Sequence, residues 1–255
     1  MLCDLDGVVW LSHRPIPGAV EGIALLRQAG HRVLFVTNNS AALVEDQEAA
    51  LDLIGVPSAG DVVTSAQAAA RMVEPGERIH VCGGQGVVQA VEARGAVVVG
   101  LTELADAVVV GFHRNFDYEG LRLATRAVQL GARLIGTNDD ATYPTPDGAI
   151  PGGGAILAAV ATACGVEPII AGKPHQPMAD LVRSIIGDGA ASQAVMVGDR
   201  PETDGLFART LRCRYAQVWS GVTAMGTKVE PAPDLVGDHL GVVAAALVAA
   251  STAHR

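Results

Sequence analysis

The chain has 255 residues, 49% of them hydrophobic and 18% charged, which makes one to two folded domains at roughly 150 residues each and excludes a disordered chain. Eighteen basic residues stand against 27 acidic ones, a formal charge of −9, which speaks against nucleic acid as a partner and leaves a local site for a small anion open. Aromatic residues are only 4%, so the apolar mass is mostly Ala, Val and Leu, which suits helices packed on a parallel sheet.

Asp4 and Asp6 stand where a signal peptide would need its apolar core. A valine-rich strand at residues 31–37 precedes a helix over 41–54 that Ser40 caps and Gly55 ends. A strand at 61–64 leads into a helix from 65 to about 73, capped by Ser65. Strands at 79–82, 96–99, 107–112 and 133–137 then alternate with helices at 87–94, 118–130 and 155–164. The uncharged run 148–166 opens on Pro151-Gly152-Gly153-Gly154, which leaves about three helical turns and no membrane span. Strands at 169–171, 194–197 and 215–219, with helices at 178–186 and 203–210, complete the pattern.

This alternation predicts an α/β fold on a doubly wound parallel sheet. Punctuation at Glu74-Pro75-Gly76-Glu77 and Val166-Glu167-Pro168 divides the chain into a core of residues 1–75 and 169–255 and an inserted α/β domain of residues 76–168. Cys3, Cys82, Cys164 and Cys213 form no Cys-x-x-Cys pair and read as reduced, mostly buried thiols of a cytoplasmic protein.

Asp4-Leu5-Asp6-Gly7 closes the opening strand. Residues i and i+2 of an extended chain face the same way, so both carboxylates point into one site, where they need a shared cation or a proton. Three more fragments end strands: Thr37-Asn38-Asn39-Ser40, Gly172-Lys173-Pro174, and Gly198-Asp199-Arg200 with Asp204 following. Each alone reads as readily as a turn or a cap. Together they offer nucleophile, hydroxyl, cation and metal-binding acid beyond the carboxyl ends of a sheet, where active sites of such folds lie. Gly83-Gly84-Gln85-Gly86 invites a dinucleotide reading, but Gln89 stands where the third glycine belongs, so a tight strand-to-helix turn is expected. The histidines fall in no metal-ligand spacing, and His175 reads as a loop residue.

The sequence resembles the haloacid dehalogenase superfamily of phosphohydrolases, and within it the NagD-like and 4-nitrophenylphosphatase-type enzymes with a C2 cap. The resemblance is carried by Asp-Leu-Asp-Gly-Val-Val at 4–9, Val-Thr-Asn-Asn-Ser at 36–40, Gly-Lys-Pro at 172–174 and Val-Gly-Asp-Arg-Pro-Glu-Thr-Asp at 197–204. Gly136-Thr137-Asn138-Asp139, the Pro151 turn and Trp219-Ser220-Gly221-Val222-Thr223 support it. It implies a Mg²⁺-dependent phosphatase of a small phosphorylated metabolite such as glycerol 3-phosphate, phosphoglycolate, a sugar phosphate or a nucleotide. It implies Asp4 as a nucleophile that forms an aspartyl-phosphate, with Asp6 as general acid and then base. Mg²⁺ would be held by Asp4, the Asp6 backbone carbonyl and Asp199, with Asp204 supporting from outside. Thr37, Lys173 and the backbone amides of Leu5, Asp6 and Asn38 would bind phosphoryl oxygens.

On the same resemblance the insert is a cap that sets the substrate. Asn138 and Asp139 are expected to face it, Tyr143 is a further candidate, and relatives form homodimers through the cap. A phospho-acceptor signalling module and a catalytically silent phosphate-ligand binder are the alternatives from other classes. Only Met1-Leu2-Cys3 precede Asp4, fewer than the first strand of this fold usually has; either that strand is clipped or the natural start lies upstream.

Overall fold

The computed structural model describes residues 1–100, 104–145 and 147–252. The chain opens with β1 (Leu2–Cys3), a small antiparallel hairpin of β2 (Trp10–Leu11) and β3 (Arg14–Pro15), and α1 (Ala19–Gln28). It continues through β4 (Leu34–Thr37), α2 (Val44–Leu53), β5 (Val62–Thr64) and α3 (Ser65–Ala70). The middle of the chain forms β6 (Arg78–Cys82), α4 (Gln85–Ala93), β7 (Val97–Val98), β8 (Ala107–Val110), α5 (Tyr118–Gln129) and β9 (Arg133–Gly136). An antiparallel hairpin of β10 (Thr142–Thr145) and β11 (Gly148–Pro151) follows, then α6 (Gly153–Cys164) and β12 (Ile169–Ile170). The return comprises α7 (Gln176–Ile186), α8 (Asp188–Gln193), β13 (Val195–Gly198), a π-helical turn at Pro201–Gly205, α9 (Leu206–Leu211), β14 (Arg214–Val218), β15 (Leu235–Gly237) and α10 (Leu240–Thr252).

Two parallel sheets result. The first has the order β15-β14-β13-β1-β4-β5 and the second β12-β9-β8-β6-β7. Their central strands are valine-rich runs buried on both faces, and successive side chains serve different apolar layers. Leu34 and Val36 join one cluster with Ala66, Ala69, Met178 and Val182, while Phe35 joins the opposite one with Cys3, Ile23, Leu26 and Leu240. The first of these layers does not stop at the first sheet. It runs on through Val87 and Val91 of α4 to Ile79, Val109 and Ile135 of the second sheet, whose other face packs Val108, Val110 and Leu134 on α5 and α6. No described helix is long and apolar enough to cross a membrane.

Three readings of the sequence change. Residues 169–171 were expected among the strands of the first sheet. Instead β12 pairs with β9 at the edge of the second sheet, and Ile169 is half exposed. The Ala171 amide continues this pairing onto the Gly136 carbonyl, so the chain reaches Lys173 from the insert's side. The helix expected from residue 41 under a Ser40 cap starts at Val44, because the Ser40 hydroxyl instead accepts a 2.9 Å hydrogen bond from Thr137 across the two sheets. Similarly Thr64, not Ser65, caps α3, in a reciprocal pair with Gln67, while the Ser65 hydroxyl donates to the Asn38 carbonyl.

The glycine-rich turn before α4 serves the joint between the sheets. A Cβ on Gly84 would lie 2.6 Å from Ala41 Cα, and one on Gly86 would fall on the Ala42 carbonyl. The Gly86 amide donates to the Ala41 carbonyl at 3.0 Å.

Candidate active site

The carboxyl ends of β1, β4, β9 and β12 converge, and Asn38 ties them together. Its side chain donates to the Lys173 carbonyl (2.9 Å) and to Asp140 (2.8 Å), and accepts from the Lys173 amide (2.8 Å). Its carbonyl accepts from Asn138 and Ser65. The cavity above this knot holds about 50 Å³, and its walls include Asp4, Asp6, Thr37, Asn38, Asn138 and Lys173 from the sequence reading. Residues that the sequence reading gave no role also line it, among them Asn39, Phe112, Asp140, Arg200 and Thr203. Leu5 turns its side chain into the apolar core, so only its backbone is available to a ligand.

At one end sits a buried ion cluster. The Lys173 ammonium, 1% exposed, lies 2.8 Å from Asp4 Oδ1 and 2.7 Å from Asp204 Oδ1. Burial works against its charge, but Asp204 and Asp4 more than offset this and hold it protonated. Asp204 is fully engaged, since its second oxygen accepts from the Arg200 amide. The π-helical turn seats it against Gly198, where a Cβ would fall on its carboxyl group. Asp199 accepts from the Val222 amide at 2.6 Å on Oδ2, whereas its Oδ1 is buried and has no partner. Buried Gln217 donates to the Asp199 carbonyl and takes a hydrogen bond from Tyr215, fixing this strand end from behind.

An orphaned buried carboxylate oxygen is costly and calls for a counter-group. Burial, then Asp204 and Asp4, push the Asp199 carboxyl well above its ordinary range, and burial with Asp4 outweighs the Lys173 contact to raise Asp204 to about 7. Ligand atoms of Asp4, Asp199 and Asp204 lie within 4.8 Å of one another. Gly7, at φ +91°, stands where a Cβ would meet Asp199 Oδ2 at 2.5 Å, so only glycine lets the turn after Asp4 pass this close to the Asp199 carboxylate. All-oxygen donors, surplus negative charge and an unpartnered oxygen fit a hard divalent cation such as Mg²⁺.

Asp6 belongs to a different part of the site. Its Oδ1 accepts from the Tyr143 hydroxyl at 3.0 Å, and burial followed by repulsion from Asp4 raises it to about 7, with Tyr143, Lys173 and Trp10 pulling back. The Thr37 hydroxyl points into the cavity and accepts from the Asn39 amide at 3.0 Å. The second expected cap residue is corrected. Asp139 is absent from the cavity wall and pairs with His175 at 3.0 Å near the surface, and Asp140 lines the cavity instead. Asn138 and Asp140, two residues apart, share a side, and the intervening side chain turns outward. The i, i+2 argument made for Asp4 and Asp6 would have found this. Burial raises the Asp140 carboxyl, and Asn38 draws it back.

A family profile described as haloacid dehalogenase-like hydrolase matches residues 1–97, and a second, HAD-hydrolase-like, matches residues 170–243. An acid sugar phosphatase of Staphylococcus saprophyticus is 36% identical over 87% of this chain and 86% of its own. A glycerol phosphate phosphatase of Mycobacterium tuberculosis, solved in complex with magnesium, superposes with a TM-score of 0.85 at 34% identity over 94% of this chain and 74% of that one. A 4-nitrophenylphosphatase of Thermotoga maritima gives a TM-score of 0.87 at 31% identity, over 96% and 95% of the two chains.

Proposed function

The chain belongs to the haloacid dehalogenase-like hydrolases, and from that membership we propose that it hydrolyses small phosphate monoesters with Mg²⁺ as cofactor, by way of an aspartyl-phosphate on Asp4. The observation that carries the reading is the buried Asp4–Lys173–Asp204 cluster, which reaches the cavity wall through Asp4 and Lys173 and has the carboxylate of Asp199, with its unpartnered oxygen, close to Asp4. Asp4, the Asp6 backbone carbonyl and Asp199 would hold Mg²⁺, with Asp204 supporting them from behind. When bound, the ion neutralises the crowded carboxylates and the charge of the phosphoryl group.

One Asp4 oxygen is held by Lys173, which orients the carboxylate toward phosphorus. As the Asp4 O–P bond forms, the P–O bond to the leaving group breaks, and its electron pair stays on the leaving oxygen. Asp6 supplies that oxygen with a proton. The resulting Asp6 carboxylate then takes a proton from the water that attacks phosphorus, which releases phosphate and restores Asp4. A carboxyl raised to about 7 suits both steps near neutral pH. Thr37, Lys173 and the amides of Leu5, Asp6 and Asn38 bind the phosphoryl oxygens, donors placed where charge develops. The second sheet and its helices act as the cap, with the division after β12 rather than before it.

The cavity supports a small substrate. The site is small, about 50 Å³, and Phe112, Asn138, Asp140 and Tyr143 wall it from the insert's side, which favours a compact phosphate ester over a nucleoside monophosphate. Purified protein with Mg²⁺ is expected to release phosphate from 4-nitrophenyl phosphate and, across a panel of natural esters, to favour short polyol and sugar phosphates in kcat/KM. Silence on the whole panel, or a stable phosphoprotein without turnover, overturns the reading.

Metal binding should also appear in stability. Because Asp6 and Asp204 are raised from about 4 to about 7, the metal-free fold holds more protons than the unfolded chain in that window, and their contribution to stability falls as pH rises through it. Mg²⁺ needs the carboxylates ionised, so its stabilisation runs the other way. Saturating Mg²⁺ is expected to raise Tm by roughly 5–10 °C at pH 8 and by much less at pH 5. A shift independent of pH would argue against these ligands.

A further inference from the structure

Among the residues that the insert brings to the cavity, Tyr143 is bound to a reacting carboxyl itself. We propose that Tyr143 is the positioning residue of Asp6, its hydroxyl fixing which carboxyl oxygen carries the proton destined for the leaving group. The inference rests on the reading of Asp6 as the acid. It goes beyond that reading by assigning part of the proton transfer to the insert.

The Tyr143 oxygen has two neighbours, Asp6 Oδ1 at 3.0 Å and the Asn39 side-chain amide nitrogen at 3.4 Å. The amide nitrogen only donates, so the phenolic hydrogen cannot point at it. That hydrogen goes to Asp6 Oδ1, which therefore accepts, and the proton of the neutral carboxyl sits on the other oxygen. A phenol keeps its own hydrogen throughout the neutral range and so serves as a fixed donor.

The ring is held as well as the hydroxyl. Tyr143 lies on β10 and stacks on Phe112, with centroids 5.3 Å apart and planes 17° from parallel. Lys173, already shared between Asp4 and Asp204, has no contact with Asp6 within hydrogen-bond distance. The Tyr143 hydrogen bond anchors Oδ1 and so leaves the other oxygen to carry the proton. As the P–O bond breaks, the electron pair on the leaving oxygen takes the proton from the free oxygen of Asp6, and the Tyr143 hydrogen bond then falls on a full carboxylate, where it is stronger.

A leaving-group comparison tests this. An alkyl phosphate releases an alkoxide that must be protonated, whereas 4-nitrophenol departs as its anion. Tyr143→Phe keeps the stacked ring and removes the hydroxyl. It is expected to lower kcat/KM for the best alkyl phosphate of the panel by about tenfold, while 4-nitrophenyl phosphate changes by less than about twofold. Retained hydrolysis of the aryl ester is also the control for folding. Phe112→Leu, which frees the ring but leaves the hydroxyl, should give the same selectivity in weaker form, about threefold.

Equal losses on both substrates mean that Tyr143 is merely wall, and no loss on the alkyl ester means that Asp6 orients itself; either overturns the proposal. Asp6→Asn on the same pair separates the two levels. If it is selective against the alkyl ester and Tyr143→Phe is not, only the tyrosine assignment fails. If Asp6→Asn is itself unselective in kcat/KM, which reads the phosphoryl transfer to Asp4 and not the common hydrolysis step, Asp6 is not the acid and both readings fall.

Discussion

Asp4→Asn abolishes turnover while leaving the protein folded: kcat should fall by roughly 10⁴–10⁶-fold, the scale seen when an enzyme loses its nucleophile. Asparagine preserves shape, so the loss comes from the missing carboxylate oxygen rather than from packing. The fold should tolerate the change, because Lys173 keeps its 2.7 Å contact to Asp204 and the neighbourhood loses one of several crowded negative charges. Phosphate release, a thermal melt and mass analysis of quenched protein are the three measurements. Wild type should carry a transient phosphoryl group on the peptide containing Asp4, and the variant none. Turnover within tenfold of wild type would remove Asp4 from the chemistry.

Lys173→Met should damage stability and catalysis together. Methionine fills much of the same volume, but Asp4, Asp199 and Asp204 then face one another in a buried site without their shared ammonium. Breaking a buried ion pair from one side costs about 3–5 kcal/mol, and removing a donor to the developing phosphoryl charge costs roughly 10²–10³-fold in rate. The pH dependence gives the sign. The loss of stability should be greatest near pH 8, where the carboxylates are ionised, and smaller near pH 5, where they can hold protons. Adding Asp204→Asn to Lys173→Met should recover a good part of the stability and none of the activity, since it relieves repulsion without restoring a cation. A double variant as unstable as the single one would show that packing around Lys173, rather than charge, holds this end of the site.

The residues that carry chemistry were legible because each ends or follows a short apolar strand and breaks its pattern with a carboxylate, hydroxyl or ammonium. Asp4, Thr37, Lys173 and Asp199 all follow this rule. What escaped depends on contacts distant in the chain. Ser40 has the chemistry of a local cap, yet Thr137, 97 residues away, claims its hydroxyl. Residues 169–171 look like any buried strand, and only pairing decides that they extend β9. Asp139 and Asp140 are indistinguishable by composition, and the register of one extended segment selects between them. Tyr143 depends on a hairpin whose four-residue strands carry little periodicity of their own. The apolar helix α10 shows the same lack of pattern, with alanine and valine on every side.

The seam at Gly84 and Gly86 also limits how this enzyme could be re-engineered. Exchanging the whole insert for one from a relative is an obvious route to a new specificity, but the transplant would have to bring glycine at both positions. Any side chain there would press on Ala41 and Ala42, directly after the Thr37–Asn39 segment that lines the cavity. A graft chosen for its substrate wall alone would therefore arrive with a displaced phosphate end. Replacing only the β10–β11 hairpin leaves that seam untouched and is the more conservative graft.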